Sequence, residues 1–175
     1  MEIDLALLNE MHPRLPSDLV VGLVGRAALA LQRHGHPSGV GVSWSLEQAT
    51  VAGHLSSPVA DLGKVALHDH NRITEDGAEA VALAMIHQHR GCRVVRRMQR
   101  EESADWLLER RGPKGRQLVA LEVSGVDRGS IHTRLAEKLK QVSKSLDVDQ
   151  RWAGVVGFEE PTAGLQPTKR GGREN

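Results

Sequence analysis

The sequence predicts an α/β fold: a mixed central sheet flanked by helices. Three observations predict it. Apolar residues recur at helical spacing in three separate segments, and short apolar or alternating runs lie between them. From residue 74 onward the order is helix, strand, strand, strand, helix, strand, which builds a sheet with helices packed on it. A helix and a β-hairpin precede this core.

Each element has its own signature. Residues 17–33 form a helix with Ser17 as N-cap and a stripe of Leu19, Val20, Leu23, Val24, Ala27 and Leu31. His34, Gly35, His36, Pro37, Ser38 and Gly39 stop it. Val40, Val42 and Trp44 alternate with Gly41 and Ser43 as a half-buried strand, and a second strand follows over 49–55. Pro58 opens a loop, and 65–68 reads as a short strand. Thr74 caps the next helix, with Glu75 and Asp76 in its first turn, where negative charge suits the helix dipole. Its buried face is Ala78, Val81, Ala82, Met85 and Ile86, with Glu79 at the edge, and Gly91 ends it. Residues 92–96 form a strand, and 104–109 with 117–124 form a hairpin around the turn 111–116. A third helix over 130–146 carries Ile131, Leu135, Leu139, Val142 and Leu146, and 152–158 is a last apolar strand. Residues 161–175, rich in Gly, Lys and Arg, read as a disordered basic tail. The expected division is therefore 1–62 as an N-terminal extension, 63–160 as the core and 161–175 as the tail.

Composition narrows the function. A net charge of +1 does not make the whole chain a polyelectrolyte binder, so any nucleic-acid contact must come from local patches. Trp44, Trp106, Trp152 and Phe158 are the only Phe, Trp or Tyr residues, too few for a base-stacking platform. The single Cys92 excludes an intrachain disulfide and fits a reducing cytoplasm. No apolar run approaches membrane-spanning length, and the start Met-Glu-Ile-Asp-Leu lacks a signal-peptide pattern. A cytoplasmic protein without a membrane partner is expected.

The most informative residues are acids on the hairpin. Asp105 opens one arm, and Glu122 interrupts the apolar run Leu118-Val119-Ala120-Leu121-Glu122-Val123 on the other. A carboxylate in a buried strand is costly unless something pairs with it. Two carboxylates converging across a hairpin can hold a hard divalent cation. Each acid also has a plainer role: Glu79 as a solvated helix-edge residue, Asp105 as the partner of Arg96 or Arg97, and Glu122 as half of a buried ion pair.

With these acids on successive elements, residues 74–160 resemble the core of the restriction-endonuclease-like nucleases, the PD-(D/E)xK superfamily. The resemblance implies that Glu79 matches the helix acid, Asp105 the strand Asp and Glu122 the acid of the E-x-K motif, gathered around Mg²⁺ or Mn²⁺. It further implies the Val123 carbonyl as a ligand. Two departures stand out. Ala104 replaces the Pro before the Asp, and Ser124 stands where the family has its Lys. Hydrolysis of a phosphodiester needs a charge beside the attacking water, and Ser124 supplies none, though it can hydrogen-bond behind the ligands. Lys138 and Gln141, on one side of the third helix with Arg134, are the residues that can take its place, as helix Lys and Gln residues do in branches of the family. Lys138 is otherwise a helix-flank lysine covering apolar surface.

Other motifs are weaker. His34/His36, His68/His70 and His87/His89 are H-x-H pairs; only His68/His70 suits a strand zinc site, and His70 is a candidate general base. Ser124 lacks the surroundings of a nucleophilic serine. Arginines cluster at 90, 93, 96, 97 and 100, and again with Lys114 over 110–116, with Lys169, Arg170 and Arg173 in the tail. The hairpin tip can contact phosphates or be a solvated turn near Glu101, Glu102 and Glu109. The expected function is metal-dependent hydrolysis of nucleic acid, with a homodimer or an operon-encoded partner. The alternative is a catalytically inactive interaction or regulatory module on the same fold, in a bacterial defence or secretion-linked system. A zinc-dependent hydrolase built on the histidines is a third.

Overall fold

The computed structural model describes residues 1–59, 69–113, 115–144 and 148–168. Within them the chain runs β1 (Glu2–Asp4), α1 (Leu8–Met11), α2 (Ser17–Arg33), β2 (Val40–Leu46), β3 (Ala49–Ser56), α3 (His70–Arg90), β4 (Arg93–Arg97), β5 (Trp106–Gly112), β6 (Gly115–Val126), α4 (Ile131–Val142), β7 (Gln150–Gly157) and β8 (Thr162–Pro167). The eight strands form one mixed sheet in the order β1-β3-β2-β8-β7-β6-β5-β4. β4, β5 and β6 are successively antiparallel, and β7 joins β6 in parallel after the α4 crossover.

Helices lie on both faces. α3 packs against β6, β7 and β8 with α2 alongside it, and α4 covers the same three strands from the other side. α2 and α3 cross closely because position 77 is glycine: a Cβ there would lie 2.9 Å from the Ala27 Cα. The apolar stripe of α3 is buried as expected, but so are Glu79, Ala80, Leu83 and Ala84. The helix is enclosed between α2 and the sheet, so its buried surface is far wider than one stripe. His12 is buried too, accepting from Val94 N–H at Nδ1 and bonding Leu83 O through Nε2 at 3.0 Å. Burial lowers its pKa to about 4, against the opposing pull of the Leu83 carbonyl, and keeps it neutral.

Several expectations are corrected. Residues 162–167 are not part of a disordered tail: β8 lies between β2 and β7, where its backbone is paired on both sides. Because β8 links β2 to β7, the hairpin β2–β3 of the N-terminal extension belongs to the same sheet as the core. α3 starts five residues earlier than expected. Asp69, not Thr74, is its N-cap, accepting from Asn71 N–H, while the Thr74 hydroxyl donates back to His70 O. α4 ends at Val142, short of the expected 146, and Leu146 lies outside the described residues. The strand expected at 65–68, His68, Lys114 and residues 169–175 lie outside the described residues. Among the described residues, no helix is long and apolar enough to cross a membrane.

β6 outruns its neighbour. β5 begins at Trp106, paired with Leu121, whereas β6 continues to Val126. Residues 122–126 therefore present one open edge, and α3 approaches this overhang at Gly125. A Cβ on Gly125 would meet the Thr74 carbonyl oxygen at 2.3 Å. Gly125→Ala should force the helix and strand apart and lower unfolding free energy by about 1–3 kcal/mol. Urea denaturation checks this; an unchanged midpoint would show that the contact gives way freely.

Candidate acidic site at the open edge of strand six

The overhang is where the acids meet. N–H groups on the β5 side of β6 recur every second residue, and past Leu121 no strand accepts from them. Two carboxylates do so instead. Val123 N–H donates to Asp105 Oδ2 (2.7 Å), and Gly125 N–H donates to Glu75 Oε2 (3.0 Å). Asp105 is held in place by its backbone, which donates to Leu121 O and accepts from Met98 N–H. N–H and C=O of one strand residue point to the same side, so the Val123 carbonyl faces this edge as well.

Glu122 projects from the α4 face of β6, among Ala120, Ala153 and Val155. It is 2% exposed, and Lys138 of α4 donates to its Oε1 at 2.6 Å. Gln141 Oε1 accepts from the same ammonium at 3.3 Å. Burial pushes the Glu122 pKa up to about 7, and the neighbouring Asp105 carboxyl adds to that. The Lys138 ammonium opposes the rise without cancelling it.

Glu79 reaches the group from α3. It is 6% exposed, and its Oε1 accepts from Arg97 Nη2. Its pKa is raised to about 7, first by burial and also by the charges of Asp105 and Asp76, against the pull of Arg97. Glu79 Oε2 and the nearby Trp106 Nε1 are both buried and neither completes a hydrogen bond. Arg97 lies over the Trp106 ring, 4.9 Å from its centroid, and its side chain is half exposed. Asp105 thus acts electrostatically on both Glu79 and Glu122, and two cations, Arg97 and Lys138, stand against the acids.

The structure therefore places Asp105, just before β5, within electrostatic reach of Glu79 on α3 and of Glu122 on the α4 face of β6, with Lys138 and Gln141 beside Glu122. Ser124 is buried beside them, but its hydroxyl donates to Glu75 Oε1 at 3.2 Å and not to the hairpin acids. The plainer roles fare differently. Glu79 is not a solvated edge residue, and Arg97 pairs with it and not with Asp105; Arg96 pairs with Glu102. Glu75 and Arg97 were missed as members of the site. The available signal for Glu75 was its position one helical turn before Glu79.

The described histidines lie elsewhere. His70 opens α3 and bonds Arg33 through Nδ1 at 2.8 Å, and His34 bonds Asp127. His87 and His89 bond Cys92 O and Glu47. The buried Cys92 has its pKa pushed up to about 11 by burial, which suppresses thiolate chemistry. Among the described residues, no group of three or more His, Cys, Asp or Glu side chains is placed so that it could hold a metal ion. The acids at β6 nevertheless fit a hard cation in kind. Their donors are all oxygens, and one of them, Glu79 Oε2, is buried without a partner. Comparison of the chain with protein-family models, curated proteins and solved structures gives no match.

Proposed function

We propose that this protein hydrolyses phosphodiester bonds of nucleic acid with Mg²⁺ or Mn²⁺, at the open edge of β6. The observation that carries the proposal is that Asp105 acts on two buried acids, Glu79 and Glu122, whose pKa values are raised to about 7, first by burial. Strained ionisable groups of this kind are maintained where chemistry needs them. The strand arrangement β4–β5–β6–β7 and the α3 and α4 positions support the restriction-endonuclease-like reading of the core. Asp105, Glu122, Glu79 and the Val123 carbonyl would hold the ion, which supplies polarisation of the phosphate and acidification of an attacking water.

The chain's own groups perform the rest. Lys138 carries the positive charge that Ser124 lacks and delivers it from α4 to the same carboxylate. Gln141 accepts from Lys138 and so fixes the ammonium. Asp105 is oriented by the Val123 N–H, and the Ser124 hydroxyl helps hold Glu75 on the β6 edge. Arg97 must release Glu79 for that acid to serve as a ligand, and its half-exposed side chain can do so into solvent.

A calorimetric titration with Mn²⁺ tests the proposal. Wild-type protein should bind at pH 8 and lose affinity below pH 6, as the two raised carboxyls take up protons. Purified protein with Mn²⁺ should also degrade plasmid, linear single strands or RNA. Absence of acid-dependent binding would leave the inactive regulatory module as the better account.

A further inference from the structure

The strongest unassigned feature is an arginine-walled cavity of about 810 Å³ at the other end of the β5–β6 hairpin. Arg14, Arg90, Arg93, Arg110, Arg111 and Arg116 line it, with Glu109 as the one acid. That acid is shared: both Arg14 and Arg116 pair with it. Arg90 is held by Glu47 and Arg110 donates to Gln117. Arg93 and Arg111 are exposed, and neither makes an ion pair among the described residues. Arg111 and Arg116 also face each other directly across the hairpin. Like charges in that position repel, so the arrangement costs stability in the free protein and an anion would relieve it.

Register connects this cavity to the acids. Side chains of a strand alternate between faces, so Arg116, Leu118, Ala120 and Glu122 share one face of β6. Their cross-strand partners Arg111, Glu109 and Leu107 lie on that face of β5, and Arg93, opposite Glu109, continues it on β4. α4 packs over β6, β7 and β8 on this side. A lane along β5 and β4 therefore runs beside α4, from Lys138 and Glu122 at one end to the arginines at the other. Six residues of β6 separate Arg116 from Glu122, a distance of roughly 20 Å at about 3.3 Å per residue. That is about six phosphates along one strand of a duplex.

We propose that the arginine cavity binds backbone phosphates of the nucleic acid whose cleaved bond lies at the acidic site. The inference deepens the nuclease reading and rests on it for the identity of the strand. Guanidinium forks match phosphate geometry. The cavity wall has no aromatic side chain, so contacts go to the backbone and carry no base preference.

The test is fluorescence anisotropy of a labelled oligonucleotide in EDTA, with wild type, Arg93→Gln/Arg111→Gln/Arg116→Gln and Glu122→Gln. Arg128→Gln, on an exposed loop residue beyond the other end of β6, is the control. The triple variant should weaken binding at least tenfold at low salt and reduce the slope of log affinity against log salt by about two to three. Glu122→Gln and Arg128→Gln should bind within about threefold of wild type. Circular dichroism confirms folding of each variant. Unchanged affinity and slope in the folded triple variant would overturn the proposal, as would displacement by poly-glutamate at equal charge. Intact arginine-dependent binding without Mn²⁺-dependent cleavage would remove the hydrolysis reading and leave the cavity's assignment standing. Cleavage with wild-type KM in the triple variant would do the reverse.

Discussion

Replacing Glu122 with Gln should reduce Mn²⁺-dependent cleavage by about a thousandfold, and Asp105→Asn should do the same. Three decades of rate correspond to about 4 kcal/mol of transition-state stabilisation, the scale of an anionic ligand that polarises a phosphate. Both substitutions keep the shape of the side chain. In Glu122→Gln the amide oxygen can still accept from Lys138, and in Asp105→Asn it can still accept from Val123 N–H, so the fold should persist while the charge is lost. The same assay separates Lys138 from Ser124. If charge delivered from α4 replaces the motif lysine, Lys138→Met should lose about a hundredfold or more. Ser124→Ala should stay within about tenfold, since its hydroxyl serves Glu75. Initial rates on a labelled duplex and on a single strand, with melting curves as a folding control, measure all four variants. Activity within tenfold of wild type for either Asp105→Asn or Glu122→Gln would end the proposal.

Glu79→Gln should stabilise the metal-free protein at pH 8. The Glu79 carboxyl has its pKa raised from 4.5 to about 7 in the folded chain. Between those values the folded state holds a proton that the unfolded state has released. Stability therefore falls as pH rises from about 4.5 through about 7, and the loss is complete above that window. Its full size is about 3 kcal/mol, and the variant, which never ionises, escapes it. An observed gain of about 1–3 kcal/mol at pH 8, shrinking to nothing near pH 4.5, is expected. For a chain of this length that is about 2–4 °C in Tm for each kcal/mol. Arg97 does not reverse the sign, because its half-exposed guanidinium can be hydrated and a Gln oxygen still accepts from it. Mn²⁺ should raise the Tm of wild type at pH 8 and leave Glu79→Gln nearly unmoved. A variant that is equally destabilised at pH 5 and pH 8 would show that Glu79 is a structural ion-pair partner. Such a gain would mark an acid held at the expense of stability.

Local pattern carried a good deal of this. The stripe of α2, the alternation Val40-Val42-Trp44, the C-cap at Gly91, with φ 65°, and the apolar runs of β6 and β7 each encode their element within a few residues. An acid in the middle of the β6 run marked the site for the same reason: a carboxylate there is costly, and its presence asks for a partner. β8 was not legible. Thr162-Ala163-Gly164-Leu165-Gln166-Pro167 has too few apolar residues for a buried strand, and it becomes one because β2 and β7 supply hydrogen-bond partners on both sides. Its glycine also makes room: a Cβ on Gly164 would come within 2.9 Å of Leu135, so the α4 stripe seats closely on the strand.

Sequence alone thus determined the three long helices, most strands and the acids worth examining, because periodicity and the cost of burying charge act over a few neighbouring residues. Only the tertiary structure decided which groups face one another. It put Arg97 on Glu79, Lys138 on Glu122 and Glu75 on the bare N–H of Gly125. Those pairings depend on where β5 stops short of β6 and on how α3 and α4 lie across opposite faces of the sheet. Such offsets arise from packing between segments tens of residues apart, and no local pattern carries them.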